Sequence, residues 1–235
     1  MSIKYGGVKM SIAKNDIIDA TIATAKGIVG ATPMVGSILS EYISLAQDKV
    51  ADKRMNDWKG MVEIQLSKLR TDLNQIAESE FFYSCVQIAT ANAMRAHQTE
   101  KRQLFANALY HSVTLDLDED KKLLFLSLLN QYTLTGIILL KYYSEDHYRE
   151  GDYVHHSGML TTYSIGGTEY PIKSIMEGNL QLQDDEYVMI LSNQMVNDSL
   201  ISSIDFRMPI SPKDARSKRT TKLGDEFLEF IICDD

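Results

Sequence analysis

A chain of 235 residues, 44% apolar and 24% charged, carries enough apolar material for a packed core and suits two modest domains better than one. Its net charge of −8 excludes a surface that is cationic throughout, and leaves phosphate binding only to a local basic cluster. Two distant cysteines, Cys85 and Cys233, exclude a disulfide framework and a metal site built on a Cys pair, and fit a reducing cytosol.

Residues 1–14 read as a flexible N-terminus. Lys4, Lys9 and Lys14 precede an apolar run as in a signal peptide, but Asp16 and Asp19 interrupt that run and no small-residue cleavage site follows. Met10-Ser11-Ile12 repeats Met1-Ser2-Ile3, which makes Met10 a candidate start. Asn15 or Asp16 caps a first helix whose Ile18, Ile22, Ala25 and Val29 share one face. Gly30 ends it and Pro33 opens the next, so Gly27, Gly30, Pro33 and Gly36 lie near the bend of a helical hairpin. Small residues let two backbones approach closely, which suits tight packing in water and also membrane insertion. The uncharged run Gly27–Ser40 is 14 residues, too short to span, which favours packing.

Met55, Trp58, Val62, Leu66, Leu69, Leu73 and Ile76 recur at steps of three and four, predicting a long amphipathic helix with Trp58 as a core anchor. Ser79 caps another, with Phe82, Val86, Ala89 and Ala93 as its buried face. The helix breaks around His97 and resumes over Glu100–Val113, burying Leu104, Ala108 and Ser112. Asp116, Asp118 and Asp120 imitate a calcium loop, but its sixth and twelfth places hold Lys121 and Ser127 instead of Gly and Glu. The acids therefore read as the start of a helix, favoured by the dipole. Leu123–Leu140 follows, 18 residues without a charge and long enough to cross a membrane. Asn130, Gln131, Thr133, Thr135 and Gly136 argue for a break near Gln131–Thr133, with Thr133 capping a second helix to Tyr143. The stretch then reads as the centre of a helical bundle, with Leu124 and Leu128 in the core.

After Tyr143 the texture becomes polar, and a domain boundary is placed at 144–152. Residues 153–172 read as strands joined by turns, with Gly166-Gly167 suited to a hairpin. A helix begins at Asp184, a strand is expected at Ile204–Met208, and a polar loop at Pro209–Arg219. Thr221-x-Leu223-Gly224 leads into Phe227, Leu228, Phe230 and Ile231.

The order helix, Leu200-Ile201, hairpin with a basic tip, then TTKLGDEFLEFI resembles the end of a winged helix-turn-helix domain over roughly residues 172–232. That resemblance implies a fold more than a function, because many winged helices bind proteins rather than DNA. The whole chain also resembles a group of bacterial helical proteins, on its hairpin Gly27–Ile43, its EKRQLFANAL helix Glu100–Leu109 and its acidic-start Leu-rich helix Asp118–Leu129. Some of that group are abortive-infection proteins, which implies phage defence.

The dinucleotide, P-loop, zinc-protease and nucleophile-elbow motifs are absent, so no catalytic residue is nominated and no cofactor is expected. His147, Asp152 and His155 carry the ligand types of a metal site, but in a strand His155 and His156 face opposite ways. Lys213, Arg216, Lys218, Arg219 and Lys222 form the one basic segment and could neutralise a few phosphates as a wing tip. The helix in recognition position begins Asp184-Asp185-Glu186, which would repel base edges.

The expectation is therefore a mainly α protein: a helical bundle over 15–143, a linker and β-hairpin over 144–171, and a small α+β winged-helix-like domain over 172–235. The function expected is that of a cytoplasmic, non-enzymatic adaptor or regulator with a protein partner or self-association. A DNA-binding regulator ranks second, and a membrane-active effector using the N-terminal hairpin third.

Overall fold

A computed structural model describes residues 49–69, 76, 78–146, 185–203, 205, 208 and 211–233. The described residues are mainly helical, as expected. Their helices are α1 (Lys49–Ser67), α2 (Glu80–Arg95), α3 (Thr99–Thr114), α4 (Glu119–Gln131), α5 (Leu134–Tyr143), α6 (Asp185–Asn197), α7 (Pro212–Arg216) and α8 (Lys222–Ile231). They divide into two compact units. One takes the described residues up to Leu134 together with those from Glu229 on; the other takes those between Thr135 and Leu228.

In the first unit, α1 buries the predicted stripe Met55, Trp58, Val62 and Leu66. The Trp58 indole donates to Thr90 Oγ1 at 3.2 Å, so the one polar atom of this anchor is satisfied inside the core. The helix expected to run on to Ile76 ends at Ser67. Lys68 and Leu69 close tighter turns onto Gln65 and Leu66, and Ser67 Oγ takes the Ile64 carbonyl at 2.7 Å. Ser79 caps α2 by accepting from the Phe82 amide, and Phe82, Val86, Ala89 and Ala93 are buried, as the spacing required. Asp118 caps α4 by accepting from the amides of Asp120 and Lys121, which confirms the acids as a helix start.

Among the described helices of this unit, α3 packs on α1, α2 and α4. The Leu-rich stretch is a broken core helix, as expected, but Leu124 is not part of that core. Leu124 lies 46% exposed, while Phe125, Leu126, Leu128 and Leu129 are buried. Lys101 and Arg102, which look like surface residues in the sequence, are buried on α3. The reason is that a helix leaves its last four carbonyls without intrahelical partners, and cations are favoured there. Lys101 Nζ donates to the carbonyls of Leu129 and Tyr132 at the end of α4. Arg102 donates to Ala96 O at 3.0 Å and His97 O at 3.3 Å, just past the end of α2, and lies 3.6 Å from Asp57. Arg54 reaches Met94 O at 3.3 Å at that same end. Lys122, on α4, donates to Ser112 O near the end of α3 at 3.1 Å. Three helix ends are thus closed by cations carried on other helices.

Tyr132 adopts extended backbone after Gln131, so the break predicted near Gln131–Thr133 is present. Among the described residues no single helix is long and apolar enough to cross a membrane; α4 and α5 reach that measure only when taken together across the break.

In the second unit, α6 buries Val188, Leu191 and Met195. The Tyr143 hydroxyl, buried at the end of α5, pairs with Ser192 Oγ at 2.7 Å. Helix α6 ends with Ser199 at φ 59, its amide on Val196 O and the Leu200 amide on Met195 O. That is a Schellman ending, with serine in the place glycine usually takes.

The expected α+β module is not seen here. Among the described residues the β structure amounts to one antiparallel bridge, Ile201–Thr220; most of the strand expected at 204–208 lies outside the described residues, of which Asp205 and Met208 are not in a strand. Within the loop expected at Pro209–Arg219 stands α7. Ser211 caps it by accepting from the Asp214 amide at 3.1 Å, and Pro212 pre-sets its first turn.

Thr221 and Gly224 explain the Thr-x-Leu-Gly step. The Thr221 amide donates to Leu200 O at 3.0 Å, its hydroxyl donates to Ser199 O at 2.6 Å, and the same hydroxyl receives the Gly224 amide at 3.1 Å. The start of α8 is thereby pressed onto the backbone at Leu200, and a Cβ on Gly224 would lie 2.1 Å from the Leu200 oxygen.

Candidate functional site

The predicted metal ligands His147, Asp152 and His155, and the hairpin residues Gly27, Gly30, Pro33 and Gly36, lie outside the described residues. The basic segment lies within them, in the second unit. Lys218 Nζ is 2.8 Å from the Asp225 carboxylate, and Lys222 Nζ is 3.7 Å from Glu226 one turn on. Arg219 is half-buried and donates to the Asp214 carbonyl. Burial lowers its pKa, while Tyr143 and Asp214 act in the opposite sense. Burial would raise the Asp225 carboxyl, but hydrogen bonds from Lys218 and Thr220 outweigh it and hold the pKa low. Lys218 and Arg219 are thus held by partners in their own unit, whereas the Lys222 side chain is 90% exposed. Lys213 is exposed and Arg216 half-buried on α7.

The densest chemistry in the first unit was not nominated from the sequence. It lies where α1, the middle of α3 and the end of α8 meet. Asn107 is the hub. Its Nδ2 donates to Ile231 O at 3.1 Å, and its Oδ1 accepts from Gln65 Nε2 and Gln103 Nε2, each at 2.9 Å. One turn further along α3, His111 Nδ1 lies 2.9 Å from Phe230 O. Cys233 follows, with Sγ 3.7 Å from His111 Nε2 and 3.9 Å from Gln65 Oε1. Phe230 anchors the arrangement against Phe125, ring centroids 5.6 Å apart.

The hydrogen-bond directions follow from one fact, that a backbone carbonyl only accepts. Ile231 O requires the amide nitrogen of Asn107, so Asn107 Oδ1 faces the two glutamines. Gln65 must then present its nitrogen to Asn107 and its Oε1 to Cys233. Phe230 O likewise requires the proton on His111 Nδ1, which leaves the Nε2 lone pair toward Cys233.

As a nucleophile the thiol is poorly placed. A reactive thiolate is favoured by a helix N-terminus or a neighbouring cation, whereas Cys233 follows the carbonyl end of α8 and faces the oxygen of Gln65. The pair is better suited to holding the chain end on α1 and α3. The other thiol, Cys85, is buried, and burial pushes it up to about 12.

The sequence signal for this cluster was weak, because the contacts that join its three segments span 42 to 168 positions. Compared with known proteins, the chain matches no family model, no curated protein and no solved structure.

Proposed function

We propose that this protein is a non-enzymatic adaptor or regulator that acts through protein–protein contact in the bacterial cytoplasm. The observation that carries the reading lies on α6. Ile190 is 64% exposed and Tyr187, one turn earlier, 36% exposed, while Val188, Leu191 and Met195 on the same helix are buried. An exposed β-branched residue beside an aromatic one, with Glu186 at the edge, has the make-up of a small interface centre with a polar rim. The engagement of Lys218 and Arg219 with partners within their own unit supports the same ranking over phosphate binding. Phage defence or a stress response is the setting implied by the resemblance to abortive-infection proteins.

The test is a double variant, Tyr187→Ala with Ile190→Asp. It should keep the helical circular dichroism and melting midpoint of the parent while losing self-association in sedimentation velocity, or losing a partner cross-linked in the host. An unchanged association pattern would overturn the assignment.

A DNA-binding regulator is the second reading. It is favoured by the antiparallel bridge Ile201–Thr220 standing between α6 and α8, as the base of a wing would. It expects duplex binding with a steep salt slope that Arg216→Ala plus Arg219→Ala removes.

A further inference from the structure

We infer that Lys101 is a latch that holds the apolar stretch Leu123–Leu140 as two helices, and so keeps it from forming the single helix that crosses a lipid bilayer. The local sequence favours the break between α4 and α5 without forcing it. No proline lies between Glu119 and Tyr143, and Gly136 is the one glycine there. Thr133, Thr135 and Gly136 weaken a helix but do not forbid it. What closes the ladder is a side chain from another helix. The last rung of α4 is the Tyr132 amide on Leu128 O at 3.0 Å. The next carbonyl, Leu129 O, accepts from Lys101 Nζ, and so does Tyr132 O. In an unbroken helix those two oxygens would take the amides of Thr133 and Gly136. The ammonium comes from the first turn of α3, is buried, and stands 5.9 Å from the centre of the Phe105 ring. The break therefore lasts while the start of α3 stays packed against it.

The two helices reach the length and hydropathy of a membrane span only together. The 18 uncharged residues, each rising 1.5 Å in a helix, cover about 27 Å, close to the hydrocarbon thickness of a bilayer. The flanks fit as well. Lys121 and Lys122 stand before the stretch, and Lys141, Tyr142 and Tyr143 after it. Lysine reaches back to the headgroups from the end of a span, and tyrosine settles at the interface. Asn130 and Gln131 would lie in mid-span, where carboxamides bond from helix to helix, so the inserted form would associate. In the fold described above the same stretch serves as core, with Phe125, Leu126, Leu129, Leu139 and Leu140 buried. Both states bury its apolar surface, and the hydrogen bonds of Lys101 select the broken one.

The probe is the full chain added to vesicles of phosphatidylcholine and phosphatidylglycerol loaded with a self-quenched dye. Lys101→Met keeps the length of the stem and removes the donors, and should release dye several-fold faster than the parent. Leu128→Ala weakens the same helix but leaves Lys101 in place, and should release dye no faster than the parent. Adding Ile138→Asp to Lys101→Met puts a charge in the stretch and should abolish the release. A second measurement reads the helix itself and does not need Lys101→Met to fold in water. Spin labels at Leu124→Cys and Lys141→Cys, in a background of Cys85→Ala and Cys233→Ser, should stand about 26 Å apart in the vesicle-bound variant, the rise over that separation in one helix. The inference is overturned if Lys101→Met releases dye no faster than the parent, if Leu128→Ala releases it as fast as Lys101→Met, if Ile138→Asp leaves the release unchanged, or if the labels in vesicles stand at a distance other than that of one helix.

Discussion

Two glycines in helices make one substitution act in opposite directions. At Gly60, in the middle of α1, nothing lies within 4 Å of an added Cβ. Gly60→Ala should therefore stabilise by about 0.5–1 kcal/mol, the helical preference of alanine over glycine. At Gly224 the new Cβ would stand 2.1 Å from Leu200 O, and must move 0.9 Å simply to reach 3.0 Å. The obstacle is backbone, with no side-chain rotamer to give way. Moving Leu200 O away strains the hydrogen bond it accepts from the Thr221 amide at 3.0 Å. Overpacking costs about 1–3 kcal/mol and the weakened hydrogen bond about 1, against which the helical preference returns about 1. Gly224→Ala should thus destabilise by about 1–3 kcal/mol net. Urea unfolding followed by far-ultraviolet circular dichroism measures both variants, with the slope of the transition checked for constancy. If Gly224→Ala proves as stable as the parent, the close approach of α8 to Leu200 is wrong.

Three further outcomes are expected. Leu128→Ala should cost about 2–5 kcal/mol as a buried leucine, and Leu124→Ala, at 46% exposure, well under that; equal losses in urea unfolding would contradict the phase of α4. Burial pushes Lys101 down to about 8 from its ordinary 10.5, so between those values the unfolded chain binds more protons than the folded one. The stability Lys101 contributes is thus present above about 10.5 and lost as pH falls through about 8. The stability difference between the parent and Lys101→Met should shift in the parent's favour as pH rises through that window, and a difference independent of pH would refute the buried ammonium. Of the two thiols, Cys233 should react with a thiol reagent in the native state, while Cys85, fully buried and pushed up to about 12, should wait for unfolding; rapid native labelling of both would refute its burial.

Much of the helical order was legible in the sequence because it is local. The stripe Met55, Trp58, Val62, Leu66 and the caps at Ser79 and Asp118 depend on spacings of two to four residues, and a helix reads those directly. The break after Gln131 was equally local, written in Thr133, Thr135 and Gly136. The helix at Pro212 was missed although Ser211-Pro212 is a helix-start signal, because a basic, polar loop was the expectation there.

What only the tertiary structure decided is which residues of each helix lie inside and which atoms meet there. Composition put the uncharged Leu123–Leu140 stretch in the core, where most of it lies, but α3 is buried too, with a lysine and an arginine inside. A buried cation is stable when carbonyls at the ends of other helices receive it, and those carbonyls belong to residues as far as 31 positions away. Leu124 looks like its neighbours in the sequence, yet a helix in a uniform leucine run has no phase until a partner selects a face. The meeting of Gln65, Asn107, His111 and Cys233 is of the same kind. Each residue is unremarkable in its own segment, and the donors and acceptors acquire direction only when folding brings the carbonyls of Phe230 and Ile231 against α3.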